Sequence, residues 1–150
     1  FGFDLSENHI RTGIANTVSN TGLLGRWQVL QQEPLAVCDI GHNRDGILEI
    51  LQMIEETPHE NLHFVLGLVA DKNVDPVLQL LPDDAIYYFC KADIPRGMEV
   101  DELLKRANET GLSGNTYNSV KEAYASALAN AKENDLVFVG GSTFVVAEIL

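Results

Sequence analysis

Apolar residues along this chain fall into short runs, separated by longer stretches in which they recur every three or four positions. The runs Leu35–Asp39, Leu62–Leu68, Ala85–Cys90 and Leu136–Val139 predict strands. Leu62–Leu68 has the near-continuous apolar character of a strand buried on both faces. Trp27–Gln31 reads as a further strand, separated from Leu35–Asp39 by Gln32-Glu33-Pro34, and Asn115–Tyr117 as a short one. Between the runs the period changes to that of a helix. Ile47, Ile50, Leu51 and Ile54 stand at i, i+3, i+4 and i+7 and predict a helix over 44–56. Val74, Val77, Leu78 and Leu81 repeat the stripe, with Pro76 confined to a first turn. Val100, Leu103, Leu104 and Ala107 make the next helix, stopped by Gly111. Ser119-Val120-Lys121-Glu122 has the form of a capping box ahead of an Ala-rich helix, and Ser142–Leu150 predicts the last one. At the start, residues 5–19 read as a helix capped by Ser6, with Ile10, Ile14 and Val18 on one stripe and a turn at Asn20–Gly22.

Strands alternating with helices imply an α/β fold, a Rossmann-like and mostly parallel sheet of about six strands with helices on both faces. Neither an internal repeat nor a low-complexity segment interrupts the pattern. Composition narrows this further. A chain of 150 residues, 45% of them hydrophobic, suits one domain with a proper core. The net charge of -12 argues against nucleic acid or an anionic membrane as partner, since both require a basic surface. No apolar run approaches membrane length, and the N-terminus lacks the basic and apolar regions of a secretory signal. The two cysteines, Cys38 and Cys90, lie inside apolar runs and fit reduced thiols in a cytoplasmic protein. The chain opens on Phe1 without an initiator Met, so it is expected to be part of something longer.

In open parallel sheets, ligands bind outside the carboxyl ends of the strands. The segments following the predicted strands hold Asp39, His42, Asn43 and Arg44; then Asp71 and Lys72; then Lys91, Asp93 and Arg96; then Gly140, Gly141 and Ser142. Four of the ten basic residues thus fall in such loops of a very acidic chain, which suits an anionic or zwitterionic ligand, although ordinary loop polarity produces a similar pattern. Cys38–Gly46 is the densest stretch. Asp39 can accept from a ribose hydroxyl or cap a turn, and the residues alone weigh the two equally. Asn43 fits a helix cap better than a ligand contact. Gly140-Gly141-Ser142-Thr143 lets the backbone approach a ligand at a strand-to-helix junction, although Ser is also simply a good N-cap. The chain contains no G-x-x-x-x-G-K-[ST] and no G-x-G-x-x-G, and no Cys/His cluster has metal-ligand spacing. His9, His59 and His63 have no evident role in the sequence.

The run Gly25–Gly46, GRWQVLQQEPLAVCDIGHNRDG, resembles the start of the C-terminal domain of folylpolyglutamate synthase, a member of the Mur-ligase superfamily that is often bifunctional with dihydrofolate synthase. Val65–Val74, Pro95–Leu103 and Leu136–Leu150 agree with it in order and spacing, so the resemblance covers roughly residues 10–150. Two positions depart from the usual pattern: Arg44 stands where the family has Pro, and Gly41 where it has Ala.

The resemblance implies that residues 1–24 are an interdomain helix and linker and residues 25–150 the glutamate ligase domain of a monomeric, two-domain enzyme. An N-terminal ATPase domain would carry the phosphate-binding loop and Mg2+. The folate, dihydropteroate or tetrahydrofolate, would be activated by ATP as an acyl phosphate and then attacked by the amine of L-glutamate. By motif match, Arg26 and Asp39 would contact ATP, His42 and Ser142 would line the place where glutamate and the reacting phosphate meet, and Arg96 would help hold glutamate. No triad is expected, because such chemistry needs positioning and charge neutralisation rather than a protein nucleophile. Three other readings compete: a Mur-type ligase of cell-wall precursors, a non-enzymatic receiver-like signalling domain with an Asp at a strand end, and a dinucleotide-binding module. The surroundings of Lys72 and the Gly-Gly-Ser-Thr junction favour the folate branch. His42 and Ser142 are expected to face each other across one crevice.

Overall fold

The computed structural model describes residues 2–70 and 73–150. Asp71 and Lys72, two of the charged positions singled out above, lie outside the described residues. Six strands form one sheet: β1 (Gln28–Gln32), β2 (Leu35–Asp39), β3 (Leu62–Leu66), β4 (Ile86–Cys90), β5 (Gly114–Tyr117) and β6 (Leu136–Gly140). Their spatial order is β1-β2-β6-β3-β4-β5, parallel throughout except for β1, which returns on β2 as an antiparallel hairpin.

The two faces of the sheet are read directly from alternate strand residues. Phe64 and Leu66 of β3, Tyr87 and Phe89 of β4 and Phe138 of β6 point to one core, packed by α3 (Arg44–Glu56), α4 (Asp75–Leu78) and α5 (Val100–Glu109). Val65, Tyr88, Cys90, Val137 and Val139 point to the other, packed by α6 (Val120–Asn130) and α7 (Thr143–Ala147). Both faces are covered, so the central strands are apolar at nearly every position, His63 of β3 excepted, and the run-like patterning follows. The helix starts follow from their caps: Asn43, Ser119 and Ser142 each accept a bond from a backbone N–H in the first turn of α3, α6 and α7.

Several boundaries differ from the sequence expectation: β3 ends at Leu66 rather than Leu68, α4 spans only Asp75–Leu78 of the stripe that runs to Leu81, and three more differ as follows. The N-terminal helix is two helices, α1 (Glu7–Ala15) and α2 (Thr17–Thr21), broken at Asn16, and neither contains a buried residue. Ile10, Ile14 and Val18 are exposed; a spacing of four marks an amphipathic helix but does not supply the surface that covers it. β1 begins at Gln28, because Trp27 adopts φ 40° and cannot extend the strand. The last helix stops at Ala147 rather than Leu150.

Position β6 fixes the shape of the carboxyl edge. It lies between β2 and β3, whose chains leave toward the α3–α5 face, whereas β6 sends its chain into α7 on the opposite face. Divergent exits from adjacent strands open a crevice at that edge. Gly67 and Gly141 allow the tight packing there: an added Cβ would fall 2.9 Å from the Cys90 carbonyl oxygen and 2.7 Å from the Gly67 carbonyl oxygen respectively.

Candidate functional site

The site is built on the crevice between β2, β6 and β3. Asp39 ends β2 opposite Gly140 of β6, so the His42–Arg44 turn and the Gly141–Ser142 turn leave neighbouring strands side by side. The expected pairing of these two junctions at one edge is therefore present. What reaches the cleft differs in detail. A cavity of about 370 Å³ is lined by His42, Arg44 and Gly141, with Val69, Asn73 and Val77 from the β3–α4 segment. The Ser142 hydroxyl is buried and accepts the Phe144 N–H at 3.0 Å, so it serves as cap to α7, and Gly141 is what this junction presents to the cleft. Serine suits both tasks, and only its surroundings separate them.

On the other side of His42 lies a second cavity of about 360 Å³, with Arg26, His42 and Asn43 on its rim and Asp45 and Glu49 from α3. His42 and Asn43 thus form a ridge shared by two clefts, each holding one arginine. His42 is exposed, and its Nδ1 lies 3.0 Å from the Ile40 carbonyl oxygen. A carbonyl only accepts, so Nδ1 carries a proton, and Nε2 is the ring nitrogen left for whatever occupies the crevice.

Asp39 is 5% exposed, and both its oxygens are engaged by backbone: Oδ2 accepts the Trp27 N–H at 2.8 Å and Oδ1 the Gly41 N–H at 2.7 Å. The Arg26 guanidinium stands 4.0 Å from the same carboxylate while remaining mostly exposed. Asp39 therefore organises the β1 approach and the turn before His42, and aims Arg26. A carboxylate so enclosed also lacks the openness of a phosphoacceptor, which removes the receiver-like reading.

Arg96 lies after β4 and is brought to the same edge by two backbone links: its carbonyl accepts the Ala70 N–H, and Leu68 accepts from Met98. Its guanidinium sits 5.0 Å above the Phe144 ring of α7. Lys91, from the same loop, pairs with Glu99 at 2.6 Å. Asn73 went unnoticed in the sequence although it belongs to the same class of carboxyl-end loop as its neighbours.

The remaining histidines have structural partners. His9 completes the Ser6 capping box and His59 bonds the Thr57 carbonyl. His63, near the opposite edge of the sheet, is buried between Tyr88 Oη and Asp135. Burial pushes the Asp135 carboxyl up, but the Lys132 N–H, Asn61 and His63 outweigh it and hold it down at about 2. A larger groove of about 690 Å³ at that edge is lined by Glu55, Glu60 and Asp84 with no Lys or Arg among the described residues, so it does not suit an anion.

The profile of the Mur ligase glutamate ligase domain matches residues 25–143. A probable bifunctional folylpolyglutamate synthase/dihydropteroate synthase of Haloferax volcanii is 37% identical over 83% of this chain, which corresponds to 15% of that protein. The dihydrofolate synthase/folylpolyglutamate synthase of Escherichia coli is 30% identical over 99% of this chain and 34% of its own length. The structure of E. coli FolC in complex with DHPP and ADP superposes with a TM-score of 0.85 at 30% identity, again over 99% of this chain and 34% of that one. A bifunctional folylpolyglutamate synthase/dihydrofolate synthase with Mn, AMPPNP and L-glutamate bound gives a TM-score of 0.82 at 26% identity, over 98% and 34% of the two chains. The chain thus spans about a third or less of the proteins it matches.

Proposed function

The chain belongs to the Mur ligase family, through its glutamate ligase domain, and from that premise we propose that it is the C-terminal domain of an ATP-dependent folylpolyglutamate synthase. In this reading residues 1–24 link it to an N-terminal ATPase domain and residues 25–150 close over the nucleotide and help hold glutamate. The folate carboxylate oxygen attacks the γ-phosphorus of ATP, and ADP leaves. The glutamate ammonium gives up one proton, the resulting amine attacks the acyl carbon, phosphate leaves, and the nitrogen loses a second proton.

One observation carries the reading: the carboxyl edge of a chain with net charge -12 gathers Arg26, His42 and Arg44 around two adjoining clefts. Arg26, planar and always charged, suits the phosphates or base of ATP. Asp39 acts through it, as a positioning residue. His42 stands at the ridge, where its Nε2 can accept from the ammonium of glutamate. The Gly141 junction lets backbone approach the acyl phosphate, and Arg96, over Phe144, is placed to hold a carboxylate of the amino acid. Closure against the N-terminal domain would exclude water from a hydrolysable intermediate.

Among the described residues no group of three or more His, Cys, Asp or Glu could hold a metal ion. The described residues therefore do not make a Mg2+ site by themselves, and in our reading the ion belongs to the N-terminal domain. Likewise no helix among the described residues is long and apolar enough to cross a membrane.

The test is made in the complete ligase. His42→Ala should lower the glutamate-dependent rate of ADP release while the protein stays folded. Glutamate replaced by a cell-wall amino acid, with a nucleotide-linked acceptor in place of folate, should give no turnover. Turnover with that pair, and none with folate and glutamate, would move the enzyme to the cell-wall branch.

A further inference from the structure

We propose that Arg44 makes the cleft between α3 and α4 a binding site for a glutamyl carboxylate, separate from the nucleotide side of the His42 ridge. The inference rests on the ligase reading given above.

Its first support is the charge lining that cleft. Among the described residues lining it, Arg44 carries the only formal charge, and no carboxylate is present. The neighbouring Arg26 cleft is different, since Asp45 and Glu49 line it as well. Three other cations are held in closer ion pairs: Arg11 with Glu7 at 2.7 Å, Lys91 with Glu99 at 2.6 Å, and Arg106 with Asp75 and Glu102 at 3.1 Å each. Arg44 reaches Asp45 only at 3.8 Å, with both side chains exposed, an arrangement too loose to fix either.

The uncharged polar groups point to the same chemistry. Asn43 uses its side-chain oxygen on the Gly46 N–H, and Asn73 uses its own on the Asp75 N–H. Each amide NH2 group then points away from that bond as a donor that a ligand can use. A guanidinium with two amide donors is a set suited to a carboxylate. The opposite wall is apolar, made by Leu68, Val69, Val74 and Val77, and suits the methylene stem of a glutamyl side chain. A volume of about 370 Å³ is that of a small-molecule site.

Arg44 is also misplaced by the rules of helix stability. It is the first residue of α3, where the partial positive charge of the helix end disfavours a cation. A residue kept at a local cost, in a cleft and without a firm ion pair, is accounted for by a ligand. The ligand carboxylate has two sources in this reaction: the incoming glutamate, or a glutamyl residue already on the folate.

The experiment separates them. In the complete ligase, KM is measured for ATP, for glutamate, and for folates bearing one and three glutamyl residues, with Arg44→Ala and Arg44→Lys. We expect Arg44→Ala to raise either the glutamate KM or the triglutamate KM by about ten- to hundredfold, and to leave the ATP KM unchanged. A rise confined to glutamate assigns the site to the incoming amino acid; one confined to the triglutamate assigns it to the tail. Arg44→Lys should recover part of the loss. The melting temperature should stay or rise slightly, because an unfavourable charge leaves the helix end. Unchanged glutamate and folate KM values, or a rise in the ATP KM alone, would overturn the assignment while leaving the ligase reading intact. Failure of the unmodified enzyme to release ADP with folate and glutamate would remove the ligase reading and this assignment with it.

Discussion

At Gly141 the backbone turns through φ 95°, and a Cβ there would lie 2.7 Å from both the Gly67 carbonyl oxygen and Leu66 Cδ1. Gly141→Ala should therefore lower stability by about 1–3 kcal/mol from backbone strain alone, read from the denaturant midpoint; an unchanged midpoint would mean the turn relaxes freely. Arg26 and Asp39 are adjacent in space but should behave differently. Arg26 is mostly exposed, so Arg26→Ala should spare the melting temperature and raise the ATP KM of the complete enzyme about ten- to hundredfold. Asp39→Asn should raise the ATP KM and also lower stability, by about 1–3 kcal/mol, because one of two backbone N–H groups loses its acceptor inside the fold. Equal stability of the two variants would contradict the positioning role of Asp39. Residue types were legible here and their tasks were not: Ser142 and Asp39 each suit a cap or a ligand, and only the structure shows the backbone N–H groups that each accepts from.

Among the elements, β3, β4, α6 and the residue before β6 are joined by the Tyr88–His63–Asp135 network, with Asn130 donating to Tyr88 Oη. The Asp135 carboxyl falls from 3.8 to about 2 on folding. A depressed carboxyl stabilises the fold above its unfolded value and loses that contribution as pH drops through the folded one. Acid unfolding should thus draw on Asp135 between about pH 4 and pH 2, and Asp135→Asn should flatten the stability profile in that window. A variant profile parallel to that of the unmodified protein would show that another group dominates. The helices α1 and α2 predict the opposite kind of result. With none of their residues buried, removing everything before Gly25 should change unfolding free energy by no more than about 0.5 kcal/mol. A larger loss would reveal packing that the exposed stripe does not show.

For the whole molecule, the 150-residue chain should fold alone, having a core on each face of its sheet, yet release no ADP from ATP with folate and glutamate. Its carboxyl edge has arginines and a histidine but, among the described residues, no group of His, Cys, Asp or Glu that could hold a metal ion. Sustained turnover by the purified chain would refute this. The sequence by itself determined the alternation of elements, the α/β class and both-face burial, because each depends on residues within a few positions of one another. The motifs also carried the family resemblance before any geometry was known. The insertion of β6 between β2 and β3 pairs residues about 100 and 74 positions apart, a choice that no local period encodes. That insertion is what opens the crevice, sets His42 beside Gly141 and turns Arg44 toward α4. Likewise the apolar stripe of the first helix announced a face without saying whether anything covers it. Local patterning chooses elements, and only the packing of distant segments decides which polar groups are spent within the fold and which remain for a ligand.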